Sequence, residues 1–169
     1  IIALGNLPPH NPPGFGGSGL PPDIYVADPW QGDVTEGLGS RDTVVTIGTG
    51  LTMVDVALLL DARDFAGKLV ALSRRGLTPR PHAEGAAHGV GLGERPTATG
   101  SALLAQVRRR AAVIGWRAAV DELRPHTQGM WHNAGDAEQR RFLRHLRPWW
   151  DVHRHRLAPQ VFARIERMK

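Results

Sequence analysis

Val44-Val45-Thr46-Ile47-Gly48-Thr49-Gly50-Leu51 carries a short apolar strand into a Gly-x-Gly turn. The apolar positions that follow, Met53, Val54, Val56, Ala57, Leu58 and Leu60, recur at helical spacing, and residues 68–73 read as a second strand. Strand, glycine turn, helix and strand in that order form the βαβ arrangement that holds a pyrophosphate. In that arrangement Gly48 permits the tight turn and Gly50 lets the backbone approach the phosphates with no Cβ in the way. The helix, starting near Thr52, then points its free N–H groups and positive dipole end at the anion. Gly48, Thr49, Gly50, Leu51 and Thr52 are therefore the expected diphosphate-binding set. The third fingerprint position, where Gly or Ala permits close helix-to-strand packing, is Met53. Asp55, inside the apolar helix, reads either as a solvated or capping carboxylate or as a group beside the cofactor.

Which dinucleotide is expected follows from the end of the second strand. An acid there hydrogen-bonds the ribose 2′-hydroxyl of NAD, whereas arginine accommodates the 2′-phosphate of NADP. Leu72-Ser73-Arg74-Arg75-Gly76 has no acid. A hydroxyl and two guanidiniums, each able to donate paired charge-assisted bonds, suit a phosphate monoester. Ser73, Arg74 and Arg75 thus point to NADPH, with NADH as the alternative.

The chain has 169 residues and 41% apolar composition, enough for one real core and at most two small ones. Without cysteine, it has neither disulfides nor thiol chemistry. No apolar run approaches the ~20 residues of a membrane span, and no signal peptide is recognisable, so the expected setting is the cytoplasm. The opening Ile1-Ile2-Ala3-Leu4-Gly5-Asn6 has no initiator Met and reads as a buried strand lacking an upstream neighbour, which leads to the expectation of a fragment of a longer polypeptide.

Four segments follow. Residues 1–6 are a strand, and residues 7–41 a Pro/Gly-rich linker in which Asp28-Pro29-Trp30 reads as a turn with an aromatic anchor. Residues 42–100 are the dinucleotide-binding unit with a long Gly/Pro/His-rich loop from residue 77. Residues 101–169 are helical in pattern, with helices expected over 101–114, 116–123, 125–132, 136–146 and 159–168. The expected fold is α/β, a Rossmann-like βαβ unit followed by a mainly helical segment.

Six motifs occur in order: Ala3-Leu4-Gly5-Asn6, Asp28-Pro29-Trp30, Ile47-Gly-Thr-Gly-Leu-Thr-Met-Val-Asp55, Leu72-Ser-Arg-Arg-Gly76, Arg80-Pro-His82 and Arg144-His-Leu-Arg-Pro-Trp-Trp-Asp-Val-His-Arg-His-Arg156. Together they resemble bacterial FAD/NAD(P)-binding proteins, two-dinucleotide flavoproteins related to the flavin-dependent L-aspartate N-monooxygenases. The resemblance covers essentially the whole chain, and its long motifs speak for the family more than for any substrate. It implies an FAD domain interrupted by an NAD(P)H domain, with Gly48, Thr49 and Gly50 in the latter. Residues 1–6 would be the strand leaving the FAD domain, Leu4 replacing the Thr of an Ala-Thr-Gly motif, and Gly5 and Asn6 would join the cofactor-binding set. The glycine fingerprint that holds FAD is absent here, so FAD would bind to the FAD domain of the parent chain. The implied chemistry is hydride transfer from NADPH to FAD and then oxygen activation; a reductase or oxidase would carry the same cofactor motifs.

Other clusters admit other readings. His153 and His155, if on a strand, would face one side as metal ligands do, but Arg154 and Arg156 put positive charge beside any cation, and no metal is expected. Trp149, Trp150 and Asp151 read instead as packing groups where the chain returns toward the FAD domain, with the histidines and arginines on backbone or lining a cleft. His82 is either a cleft residue or a solvated one. The net charge of +5, with Arg108, Arg109, Arg110, Arg140, Arg141, Arg144 and Arg147 on successive helices, raises nucleic-acid binding as a minor reading. A non-catalytic scaffold retaining the dinucleotide fold is the third class.

Overall fold

The computed structural model describes residues 9–12, 19–21, 23–83, 96 and 99–169. The strand expected over residues 1–6, with Gly5 and Asn6, lies outside the described residues, as does most of the loop between residues 84 and 98.

The fold is mixed α/β and mostly helical. Strand β1 (Thr43–Ile47) and strand β2 (Lys68–Leu72) form a two-stranded parallel sheet, paired from Thr43↔Lys68 to Ile47↔Leu72. Helix α1 (Leu51–Ala62) connects them, as a parallel pair requires. Met53, Val54 and Ala57 of α1 form one core cluster with Leu157 and Ile165, and Leu58, Leu69, Val161 and Phe162 pack against it. Met53, the departure from the glycine fingerprint, is thus a core residue of the α1 contact with the C-terminal segment. A methionine fills such an irregular gap readily.

Six α-helices follow among the described residues: α2 (Gly100–Ile114), α3 (Trp116–Asp121), α4 (Thr127–Asn133), α5 (Asp136–His145), α6 (Arg147–Arg154) and α7 (Pro159–Arg167). Five of them match the helical pattern read from the sequence. Helix α6 does not: Pro148 occupies its first turn, where a missing N–H costs nothing, and residues 147–154 are helical. His153 therefore lies on a helix and His155 follows it, so the two do not share a strand face. His153 meets Trp116 edge to face at 4.9 Å, and its Nδ1 is 2.7 Å from the Trp149 carbonyl. Asp28-Pro29-Trp30 does form a turn, with the Gln31 N–H on the Asp28 carbonyl and the Trp30 N–H on Asp28 Oδ1. The anchoring expected of Trp30 is not found, since the residue is 63% exposed.

The segment after β2 is tied to the α6–α7 junction. The Arg80 N–H donates to the Val152 carbonyl, the Leu157 N–H to the Arg80 carbonyl and the His82 N–H to the Leu157 carbonyl, at 3.0, 2.9 and 2.8 Å. Arg117 Nε donates to the Pro81 carbonyl at 3.0 Å. Arg156 completes this joint. Its side chain is 3% exposed, grips Asp121 with both terminal nitrogens and donates through Nε to the His153 carbonyl. Arg164 pairs with Asp61, which fastens α7 to α1.

Paired strand residues share a face. Leu69 and its partner Val44 belong to the face toward the α1 cluster. On the opposite face Val45, Ile47 and Leu72 are 52%, 58% and 53% exposed. Parallel sheets are normally covered on both sides.

Glu122 is buried and holds Arg110 through two hydrogen bonds of 2.9 and 2.7 Å, joining the end of α3 to α2. The guanidinium lowers the Glu122 carboxyl below its ordinary value of 4.5. A depressed folded-state pKa means that the pair stabilises the fold above the unfolded value and ceases to do so as pH falls through the folded one. Urea unfolding should therefore show a stability loss below about pH 4.5 that is smaller in Glu122→Gln. At neutral pH that variant should cost about 1 to 2 kcal/mol.

Candidate functional site

The turn between β1 and α1 is built as its glycines require. Gly48 has φ +121°, a conformation that side chains resist, and its N–H donates to the Leu72 carbonyl at 2.7 Å. Gly50 differs. Its φ of −85° suits any residue, yet a Cβ placed on it would meet nothing within 4 Å. Neither backbone conformation nor internal packing demands the glycine, which sits at the N-cap of α1 and lines a cleft.

That cleft, about 190 Å³, is lined by Thr49, Gly50, Ser73, Arg74, Arg75, Leu77, Pro148, Asp151 and Val152. Sites for whole drug-sized ligands run to roughly 300–1,000 Å³. The volume suits one portion of a dinucleotide, such as a ribose with its phosphates. At the cleft's edge α1 begins with Gly50 as its N-cap, no side chain capping it and no acid in its first turn. Its leading N–H groups have no intrahelical acceptor and favour an anion. Asp55 is exposed and lies beyond that turn, so it is not a capping group.

Thr49 is buried and locks the turn to the exit of β2. Its Oγ1 lies 2.9 Å from Ser73 Oγ and bonds the Leu77 carbonyl, while Ser73 Oγ accepts the Gly76 N–H at 3.0 Å. Each hydroxyl has one proton. The consistent order is Gly76 N–H to Ser73, the Ser73 hydroxyl to Thr49, and the Thr49 hydroxyl to Leu77. Ser73 thus has its proton committed inside the protein and shapes the turn that presents the arginines.

The two arginines also differ. Arg75 Nη2 reaches the Arg144 carbonyl at 3.4 Å, at the C-terminal end of α5, and so braces the β2 exit against the helices. Arg74 makes no hydrogen bond or ion pair among the described residues and lines the cleft as its uncommitted cation.

Of the residues expected from sequence, Thr49, Gly50, Ser73, Arg74 and Arg75 come together around the cleft, with Gly48 behind the turn. Leu51 and Thr52 are exposed at the start of α1 and do not line it. Pro148, Asp151 and Val152, on one face of α6 at i, i+3 and i+4, form the far wall, a role the sequence reading did not give them. Their signal was the Pro148 helix start and the i,i+4 pair of Arg147 with Asp151, whose Nε and Oδ2 are 3.5 Å apart.

Of the cations read as a polyanion stripe, Arg110, Arg141 and Arg147 are paired with Glu122, Glu138 and Asp151. No described helix is long and apolar enough to cross a membrane. Searches of protein-family models, curated proteins and solved structures find no match to this chain.

Proposed function

We propose that this chain binds the nicotinamide dinucleotide in an FAD-dependent oxidoreductase of monooxygenase type, as its motifs' resemblance to two-dinucleotide flavoproteins implies. The observation that supports nucleotide binding is the cleft that Gly50, the N-cap of a helix start with no side-chain cap, lines together with Arg74. In this reading β1, α1 and β2 are the Rossmann-like unit. The diphosphate lies over Gly48, Thr49 and Gly50 against the first N–H groups of α1. Arg74 binds the 2′-phosphate of NADPH, Arg75 contributes from its place beside α5, and NADH binds more weakly.

The nucleotide supplies a hydride to FAD held by a separate domain, and this chain's part is to bind and orient it. The test is anaerobic mixing of NADPH or NADH with the polypeptide in which this unit is joined to its FAD domain. Flavin absorbance should bleach, faster with NADPH. Nucleotide binding without bleaching would leave a dinucleotide-fold scaffold.

A further inference from the structure

The end of β2 lacks the acid that reads an unphosphorylated ribose, yet the cleft has a carboxylate on another wall. Asp151 lies on the α6 face that also contributes Pro148 and Val152, and it lines the cleft together with Gly50 and Arg74. Its side chain is 45% exposed, and Arg147 touches only Oδ2, at 3.5 Å. Such an exposed i,i+4 pair holds weakly and gives way to a ligand. Asp151 Oδ1 is thus outside that pair, in a cleft whose other charged lining residues are Arg74 and Arg75.

We propose that Asp151 is a specificity-determining residue that accepts the adenosine-ribose hydroxyls of NADH and opposes the 2′-phosphate of NADPH, so that the site takes both nucleotides. This rests on the nucleotide-binding reading above. A ribose diol donates two hydrogen bonds, which a carboxylate accepts. A phosphate monoester only repels it. Arg74 favours the phosphorylated nucleotide, and Asp151 counterbalances it from α6, an element that sequence position does not connect to the nucleotide fingerprint.

The experiment is calorimetric titration of the wild-type chain and of Asp151→Asn with NADH and with NADPH. Asparagine keeps the size and removes the charge, and loss of an exposed i,i+4 pair leaves the fold intact, which a thermal melt checks. NADH should weaken about tenfold and NADPH should tighten severalfold. A merely structural role moves both nucleotides the same way. Equal changes, or none, in a chain that binds both nucleotides would overturn the role of Asp151 and leave nucleotide binding standing. Failure of the wild type to bind either nucleotide would overturn both.

Discussion

Replacing Arg74 and Arg75 together by alanine should weaken NADPH by about 3 kcal/mol, roughly a hundredfold or more, and NADH far less. A hydrogen bond to a charged group contributes about 1.5 to 3 kcal/mol, and in the proposed site both side chains would meet only the phosphorylated nucleotide's extra dianion. The single variants should not be equal. Arg74 has no partner among the described residues, so Arg74→Ala should carry most of the effect. Arg75 is drawn toward the Arg144 carbonyl, so Arg75→Ala should cost less NADPH affinity and loosen the contact between the β2 exit and α5. Titration of the three variants with both nucleotides checks this. Equal losses for NADPH and NADH would remove the 2′-phosphate assignment.

Gly50→Thr should abolish measurable binding of both nucleotides while leaving stability within about 0.5 kcal/mol. Threonine caps a helix about as well as glycine, the φ of −85° accommodates it, and its Cβ meets nothing in the protein. In the proposed site its added atoms would stand where the diphosphate approaches the backbone. Gly48→Ala should show the reverse balance. At φ +121° a side chain strains the turn, by about 1 to 2 kcal/mol, and the loss appears in unfolding as well as in binding. Urea melts beside nucleotide titrations separate the two glycines.

What could be read from the sequence depended on how local the cause was. Strand, turn and helix around Gly48 and Gly50 were legible because their signals lie within adjacent residues: β-branched residues, a Gly-x-Gly and a 3.6-residue apolar period. The C-terminal helices other than α6 were legible for the same reason. The far wall of the cleft was not. Asp151 lines the same cleft as Gly50 because Arg80, Leu157 and Arg156 fasten the β2 exit to the α6–α7 junction, contacts between residues far apart in the chain. Ser73 shows the same limit. Its type suited a phosphate, but its proton is directed to Thr49, 24 positions earlier. The aromatic character of Trp30 suggests an anchor, and nothing local in the sequence reports that the residue is left exposed. The Rossmann-like reading extends beyond what the two described strands display, and the open face of Val45, Ile47 and Leu72 is where a further layer would belong.

The most direct test of nucleotide binding is calorimetric titration of the chain with NADPH, with Gly50→Thr as the control of equal fold. Saturable one-site binding by the wild type, tighter for NADPH than for NADH and lost in the variant, is the expected result. Absence of heat and of competition by either nucleotide, with both proteins melting cooperatively, would contradict it.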